Sequence, residues 1–319
     1  MAHREELNLI LRAARLYYED GLTQQQVARE LGISRPKVSR LLSQAREEGI
    51  VRINILDPFS EHSSLEKELV AAFGLRQAVV TTCAGAEAEI LRRRIGFAAA
   101  EFLACSLAEG QQIGIGWGPV LYSVVTSLDV RRKINIKVVP LVGGMGQISP
   151  LFQANELARQ LAEAFGGVWQ ELYAPVFVGE RVAREALVRL KDIQIVLQTW
   201  PVLDWALVDV GYLEFQNQSS MFFAEYVDSS TLQQLKAAGA VGDLCGRFFN
   251  AGGEPCGPEE GMVGISLEQL RALDGVIGVA GGPEKVLAIL GALRGGYLNV
   301  LITDEITAQA VLAYHQGKE

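Results

Sequence analysis

Residues 24–42 read QQQVARELGISRPKVSRLL, and this stretch has the pattern of two short helices that cross at a tight turn. Ala28 is small enough to let the helices approach closely, and Gly32 provides the left-handed backbone that the turn requires. Apolar residues recur around the turn at helical spacing. The residues predicted to form the shared core are Val27, Leu31, Ile33, Val38 and Leu41 or Leu42. The stretch therefore predicts a helix-turn-helix.

The surrounding sequence predicts three helices at this end of the chain. The first spans about residues 5–19, the second runs from a cap at Thr23 to residue 31, and the third runs from a cap at Ser34 to residue 48. Threonine and serine favour these first positions because their hydroxyl groups accept hydrogen bonds from first-turn N–H groups. Alternation over 50–56 predicts a short strand, which would form a wing that carries Arg52.

The third helix has a basic outer face, because residues 34–46 contain four basic residues and no acidic one. Arginine can donate two hydrogen bonds to guanine in the major groove, while lysine and serine can bind phosphates. The start of the second helix also suits phosphate contacts. The candidate DNA-binding residues are Thr23, Gln24, Gln25, Ser34, Arg35, Lys37, Ser39 and Arg40. An ordinary helical hairpin with a solvated basic face is the alternative interpretation.

The charge distribution favours DNA contact at one end of the molecule only. The chain carries a net charge of −8, but residues 1–56 hold nine basic and seven acidic residues and are net positive. An acidic body joined to a slightly basic N-terminal segment excludes a protein that coats nucleic acid along its whole surface. A single helix-turn-helix makes few contacts, so we expect the body to form a homo-oligomer that presents several of them.

Length and composition indicate two unequal domains. A chain of 319 residues is long for a single domain, and Asp57-Pro58 marks a break. We therefore predict a DNA-binding domain at 1–57 and a larger ligand-binding and oligomerisation domain at 58–319. The four cysteines form no CxxC pair and the three histidines are scattered, so we expect neither a metal nor a cofactor. No signal peptide or membrane span is evident, which makes the cytoplasm the expected location.

The larger domain alternates between strand and helix patterns. Apolar runs predict strands at 78–81, 112–115, 136–141, 193–197, 203–210, 276–280 and 298–302. Amphipathic segments predict helices at 61–73, 87–107, 154–165, 181–190, 283–293 and 304–314. This alternation predicts an α/β fold with a doubly wound, mainly parallel sheet that is covered on both faces. Residues 211–228 show no periodicity, and both a lid and an interface remain open interpretations there.

Four glycine-rich segments each follow an apolar run and predict a ligand site. They lie at 114–118, 143–146, 239–243 and 281–282. Loops at the carboxyl ends of parallel strands converge on one crevice, where ligands bind. Glycine lets backbone N–H groups approach an anion, and a following helix adds partial positive charge. One such loop alone is more simply a turn, but several on one sheet favour a phosphate-bearing ligand.

The motifs along the chain resemble the SorC family of sugar-responsive regulators. The resemblance covers essentially the whole chain and includes GIGWG at 114–118, VVPLVGGMG at 138–146 and GAVGDLCGRFFNAGG at 239–253. It also includes the C-terminal segment VIGVAGGPEKVLAILGALRGGYLNVLITDEITAQAVL at 276–312. The resemblance implies a body with the fold of glucosamine-6-phosphate deaminase and ribose-5-phosphate isomerase, used to bind a phosphorylated sugar effector, and a homotetramer or a dimer of dimers.

Carried onto this sequence, the resemblance assigns effector contacts to the glycine-rich loops. The candidate effector-binding residues are Gly116, Trp117, Gly118, Gly143, Gly144, Met145, Gly146, Gln147, Asp243, Arg247 and Lys285. Lys285 has independent support, because a cation at a helix N-terminus opposes the helix dipole and a bound phosphate would offset this. Alternatives remain open: Lys285 can face solvent, Asp243 can cap a loop, Arg247 can pair with an internal acid, and Trp117 can belong to the core.

Three classes of function remain at this point. The first is a DNA-binding transcription regulator whose operator affinity is controlled by a phosphorylated sugar. The second is a sugar-phosphate isomerase or deaminase with an accessory DNA-binding domain. Such chemistry often uses a histidine base, and His62 and His315 lie on none of the strand-end loops, although Asp204, Asp209 or Asp243 could act as a base. The third is an oligomerisation module tethered to DNA, which leaves the glycine-rich loops unexplained.

Overall fold

The chain divides into two compact units, Met1–Ser60 and Glu61–Glu319. The computed structural model describes residues 2–47, 50–51, 62–82, 87–130, 133–146, 149–213, 229–257 and 261–317, without the side chains of 2–6, 47, 62–63 and 229. The predicted wing strand at 50–56 lies outside these residues from position 52 onward, as do Gln147 and most of the aperiodic segment 211–228.

The N-terminal unit is built from helices. Its elements are α1 (Ala2–Ala14), a π-helical turn (Arg15–Glu19), α2 (Gln24–Leu31) and α3 (Arg35–Glu47). Thr23 caps α2, since its hydroxyl accepts from the Gln26 N–H while the Gln26 side chain accepts from the Thr23 N–H. Gly32 ends α2 with a φ of +65°, the left-handed conformation that the sequence predicts.

A small apolar core holds these helices together. Val27 and Ala28 of α2 meet Val38, Leu41 and Leu42 of α3 in one buried cluster, and the predicted core residues Leu31 and Ile33 pack against its edge. α1 adds further buried side chains, which are Ile10, Ala13 and Ala14. Residues at positions i, i+3 and i+4 of α3 are thus buried together, which leaves the opposite side of that helix to solvent.

The C-terminal unit alternates between strands and helices. Its helices are α4 (His62–Phe73), α5 (Ala88–Ser106), α6 (Pro119–Ser127), α7 (Ala154–Phe165), α8 (Arg181–Leu187), α9 (Lys191–Leu197), α10 (Ser229–Ala237), α11 (Leu267–Arg271), α12 (Val286–Arg294) and α13 (Glu305–His315). Its strands are β1 (Gln77–Thr81), β2 (Gln112–Ile115), β3 (Lys137–Pro140), β4 (Val168–Trp169), β5 (Trp205–Tyr212), β6 (Ala240–Leu244), β7 (Arg247–Asn250), β8 (Val276–Val279) and β9 (Val300–Asp304). Short 3-10 turns occupy Pro150–Phe152, Trp200–Val202 and Pro283–Lys285.

The strands form one sheet in the order β1-β9-β8-β5-β2-β3-β4, and these strands are parallel to their neighbours. From β2 the chain proceeds outward to β3 and β4, then returns to β5 on the other side of β2 and continues to β8 and β9. The order therefore reverses between β2 and β5. Ligands of doubly wound sheets bind at this kind of switch point, at the carboxyl ends of the two strands.

Both faces of the sheet are buried, as continuous apolar strands require. Along β5, Trp205 and Leu207 join the cluster beneath α5, α6 and α7, while Ala206 and Val208 join the cluster on the opposite face. Successive side chains of a strand point to opposite faces, so each strand connects the two layers of helices. The rigid sheet fixes the loops at its carboxyl edge.

Two predictions of local structure are wrong. Residues 193–197 form helix α9, because Ile193 and Val196 are buried at helical spacing while Ile195 is 39% exposed. Residues 240–244 form strand β6, which pairs with β5 and β7 in antiparallel fashion. Asp243 therefore lies in a strand and Arg247 begins the next one, rather than both lying in a strand-end loop. The two-residue turn at Cys245-Gly246 joins these strands into a hairpin.

Candidate functional site

The outer side of α3 carries the side chains predicted to read DNA. Arg35, Lys37, Ser39 and Arg40 are exposed, whereas Val38 between them is fully buried. Ser34 and Gln25 are also exposed, Gln24 is half-buried, and the hydroxyl of Thr23 takes part in the cap of α2. The arrangement leaves three exposed cations on α3 with no ion pair among the described residues, and such a helix can enter a groove of DNA.

The switch-point crevice is defined here by Gly116, Gly118, Asp209, Asp243 and Lys285. Gly118 follows β2, has a φ of +118° and precedes the first turn of α6. A Cβ atom on Gly118 would lie 3.1 Å from Oδ2 of Asp209, the residue on the adjacent strand β5. The glycine therefore permits a close approach of the β2 loop to this carboxylate.

The glycine N–H groups of these loops already donate within the protein. The N–H of Gly116 donates to the carbonyl of Leu207 at 2.9 Å, and that of Gly118 donates to the carbonyl of Phe152 at 3.1 Å. The N–H of Gly282 donates to the side chains of Asp304 and Thr307. The sequence predicted that glycine N–H groups would bind an anion. These three N–H groups instead donate to other groups of the protein. The polar side chains must then do most of the recognition in this crevice.

Lys285 and Asp209 form an ion pair in the crevice. The Lys285 Nζ atom donates to Oδ1 of Asp209 at 2.6 Å, and the two side chains are only 15% and 16% exposed. Burial raises the pKa of Asp209, whereas the Lys285 ammonium and, more weakly, Arg92 of α5 act to lower it. Lys285 ends the 3-10 turn before α12, and Asp209 offsets the unfavourable placement of its cation near a helix N-terminus.

Asp243 is the second carboxyl group of the crevice. Its side chain lies directly over Gly211, where any Cβ atom would overlap Oδ1, and Oδ2 accepts from the N–H of Gly246 at 2.9 Å. Burial raises its pKa to about 7, although the Gly246 hydrogen bond acts to lower it. A carboxyl group with this pKa can either donate to or accept from a sugar hydroxyl near neutral pH.

Sequence reasoning did not select Cys245, which completes the wall beside Gly116. The Sγ atom of Cys245 lies 3.3 Å from the position that a Cβ atom on Gly116 would take. The backbone of Cys245 has a φ of +50°, which is in the left-handed region. Burial raises the pKa of the thiol, so it is protonated at neutral pH and unreactive as a nucleophile. The only sequence signal was the turn pattern Leu-Cys-Gly between two apolar runs.

The loop after β3 is fixed by its own contacts. The N–H of Gly143 donates to the carbonyl of Val263 at 2.9 Å, and that of Gly144 donates to the carbonyl of Ala174 at 2.8 Å. Met145 is buried, and its N–H donates to the side chain of Gln153 at 3.1 Å. Gly146 follows as an exposed turn residue. Among the described residues, no hydrogen bond or ion pair joins this loop to Lys285 or Asp209.

Two further candidate residues are buried in the protein. Trp117 is 7% exposed and packs in the cluster that includes Leu141 and Val208, which matches the core alternative. Arg247 is 5% exposed, and its guanidinium donates to the carbonyls of Ile265 and Gly264. Arg247 lines a cavity that contains none of the other candidate residues.

The crevice has two carboxyl groups and one ammonium on a rigid frame, which suits a polyol that also carries an anionic group. From the sequence, Asp209 was a candidate only as a catalytic base. Its contact with Lys285 could not be predicted, because the two residues are 76 positions apart in the chain. Among the described residues, no helix is long and apolar enough to cross a membrane.

Comparison with known families gives two matches that together cover most of the chain. Residues 57–313 match the family described as "Putative sugar-binding domain", and residues 9–52 match the "Homeodomain-like domain" family. The first match contains the whole sheet with its crevice. The second contains α2 and α3.

Several relatives match this chain over almost its whole length. The chain is 33% identical to the deoxyribonucleoside regulator of Bacillus subtilis, over 97% of this chain and 98% of the relative. It is also 33% identical to the sorbitol operon regulator of Klebsiella pneumoniae, over 98% of this chain and 100% of the relative. The crystal structure of full-length SorC from Klebsiella pneumoniae superposes with a TM-score of 0.76 at 32% identity, covering 96% of this chain and 98% of that one.

Proposed function

This chain belongs to the SorC family of transcriptional regulators with a sugar-binding domain, and we propose that a phosphorylated sugar in its switch-point crevice controls its affinity for operator DNA. A helix-turn-helix and a sugar-binding domain make DNA and a sugar its partners. Beyond these partners, we propose that the sugar is phosphorylated, that it controls operator affinity and that the chain forms a homotetramer. The relatives are regulators by name, and we propose that this chain binds its effector without converting it.

The Lys285–Asp209 ion pair is the observation that carries the proposal. An effector phosphate next to Lys285 would supply a second anionic partner for an ammonium that is already largely withdrawn from solvent. Asp209 and Asp243 would then bind sugar hydroxyl groups, and the nearby guanidinium of Arg92 would favour the added negative charge. A neutral polyol would offer Lys285 only a hydroxyl oxygen, which is a weaker acceptor than a phosphate, and this favours the phosphorylated form.

We propose that binding in the crevice acts on the DNA-binding helices through a change in the assembly or in the domain arrangement. A homotetramer presents several copies of α3, and the spacing of these copies decides whether they fit consecutive grooves. An effector that prefers one arrangement shifts the population toward it and changes operator affinity accordingly. The candidate reading residues on α3 are Arg35, Lys37, Ser39 and Arg40.

A thermal-shift screen tests the effector assignment directly. We expect the full chain to melt at a higher temperature with at least one sugar phosphate, to respond far less to the same sugar without phosphate, and to leave the compound unchanged by mass spectrometry. Detectable turnover would instead favour an isomerase or deaminase. A shift of equal size with the unphosphorylated polyol would contradict the role given to Lys285.

A further inference from the structure

A cavity lies beside the β6–β7 hairpin, and none of the residues that define the crevice lines it. It has a volume of about 390 Å³, a size typical of small-molecule sites. Helix α8 contributes Arg181, Arg184 and Glu185 to its lining, and Arg247 of β7 adds a third guanidinium. Ser266, the cap of α11, completes its polar wall. Three cations and one carboxylate make this wall positively charged.

Arg184 is the residue that points most directly to an anion. Its Nε atom donates to the carbonyl of Met262, which fixes the plane of the half-buried guanidinium against the 261–265 segment. No carboxylate among the described residues lies within ion-pair distance of Arg184. A guanidinium anchored through Nε keeps its terminal nitrogens in a fixed fork, the geometry that binds phosphate and carboxylate through two hydrogen bonds.

The other two arginines also form hydrogen bonds, although Arg181 is exposed and only Arg247 is buried. The Nε atom of Arg181 donates to Glu185 at 2.8 Å, and this hydrogen bond lowers the pKa of the exposed Glu185 carboxyl. The carbonyls of Ile265 and Gly264 hold the buried Arg247 guanidinium. Fixed donors lose little side-chain entropy when a ligand binds, so preorganisation favours recognition at this wall.

We propose that this cavity is a second ligand site, distinct from the switch-point crevice, for a small metabolite with a phosphate or carboxylate group. Arg184 and Arg247, which both donate to carbonyls of the 261–265 segment, would bind the anionic group. Apolar Leu197 and Trp200, which also line the cavity, would cover the rest of the molecule. The proposal does not depend on the identity of the effector in the crevice.

The hairpin joins the two sites, so the experiment must separate them. Asp243 lies on β6 opposite Phe248, and Arg247 begins β7 opposite Leu244, so both residues lie close to the shared turn at Cys245-Gly246. We therefore choose Arg184→Gln to alter the cavity and Lys285→Met to alter the crevice. Arg189→Gln is the matched control, because Arg189 is an exposed arginine just after α8 that does not line the cavity.

Inorganic phosphate and malonate are titrated separately against the full chain at constant ionic strength, and binding is followed by melting temperature. We expect wild-type protein, Arg189→Gln and Lys285→Met to bind at least one probe in the cavity. Arg184→Gln should weaken that binding roughly 10- to 100-fold, the contribution of hydrogen bonds to a charged group. A response to phosphate alone identifies a phosphate site, and a response to malonate a carboxylate site.

Three results would overturn the proposal. Wild-type protein could bind neither probe, Arg184→Gln could bind as tightly as Arg189→Gln, or Lys285→Met could abolish all binding. Arg184→Lys provides a second variant should Arg184→Gln fold poorly, since it retains the cation and loses the fork. We expect Arg184→Lys to bind several-fold more weakly than wild-type protein, with an unchanged melting temperature in the absence of anions.

Discussion

Replacement of Lys285 by methionine should destabilise the C-terminal unit in a pH-dependent way. The charged atoms of Lys285 and Asp209 are 2.6 Å apart, and at an effective dielectric constant of about 20 their attraction is about 6 kcal/mol. Desolvation cancels part of this attraction, and loss of one partner from a largely buried pair costs about 3 kcal/mol. Methionine retains the apolar stem, so packing contributes little to the loss.

The pH dependence follows from the pKa of Asp209, which burial raises. Without the ammonium that pKa rises further, so between the unfolded and folded pKa values the folded protein binds a proton that the unfolded chain has released. Stability is then lost as pH rises toward the folded pKa, by up to about 1.4 kcal/mol per pH unit for one group. We therefore expect the variant to lose more stability relative to wild-type protein at about pH 8 than at about pH 6.

Urea unfolding followed by tryptophan fluorescence measures this difference. The four tryptophans lie at positions 117, 169, 200 and 205, so the signal reports the C-terminal unit. Lys67→Met is the matched control, because Lys67 is an exposed lysine of α4. The double variant Asp209→Asn/Lys285→Met should lose less stability than the two single variants predict by addition. Equal losses for Lys285→Met and Lys67→Met at both pH values would refute the reasoning.

Three further predictions concern Asp243, the β3 loop and α3. Because burial raises the pKa of Asp243 to about 7 from a usual 3.8, the folded state binds an extra proton between these values. Stability should therefore fall as pH rises toward 7, and Asp243→Asn should flatten this slope in urea unfolding; an unchanged slope would contradict the assignment. Gly143→Ala should cost about 2 kcal/mol or more, since its Cβ would lie 2.6 Å from the Ala174 carbonyl oxygen. Gly144→Ala should be tolerated, because its nearest neighbour would be 3.7 Å away, and equal losses for the two would be inconsistent with this packing. Arg40→Ala should weaken operator binding roughly 10- to 100-fold in fluorescence anisotropy and retain the effector response; Arg12→Ala on α1 is the control, and intact binding by Arg40→Ala would mean that another face reads DNA.

The sequence was most informative where a local pattern has one structural outcome. Gly32 could be placed in a left-handed turn because its position between two apolar helical repeats leaves little alternative. Strands β1, β2, β3, β5, β8 and β9 were predictable, since buried parallel strands are continuous apolar runs. At 193–197 the same cue failed, because a short apolar run fits a strand or a buried helix equally well, and only tertiary packing decided between them.

The crevice itself required the structure. Lys285 and Asp243 were selected from the sequence, but the pairing of Lys285 with Asp209 depends on β5 and β8 being neighbours, which sequence order does not reveal. The glycines were expected to offer their N–H groups to an anion. In the structure Gly118 and Gly211 instead leave space for the carboxylates of Asp209 and Asp243, so their role comes from the absence of a side chain.

The most direct test measures DNA binding and effector binding in one titration. A DNA fragment recovered by in vitro selection with the full chain is bound to wild-type protein, and an effective sugar phosphate from the thermal-shift screen is added. Our account predicts that operator affinity changes with the sugar phosphate in wild-type protein, and that Lys285→Met binds the same DNA but loses this response. An unchanged affinity in wild-type protein, or a full response in Lys285→Met, would contradict it.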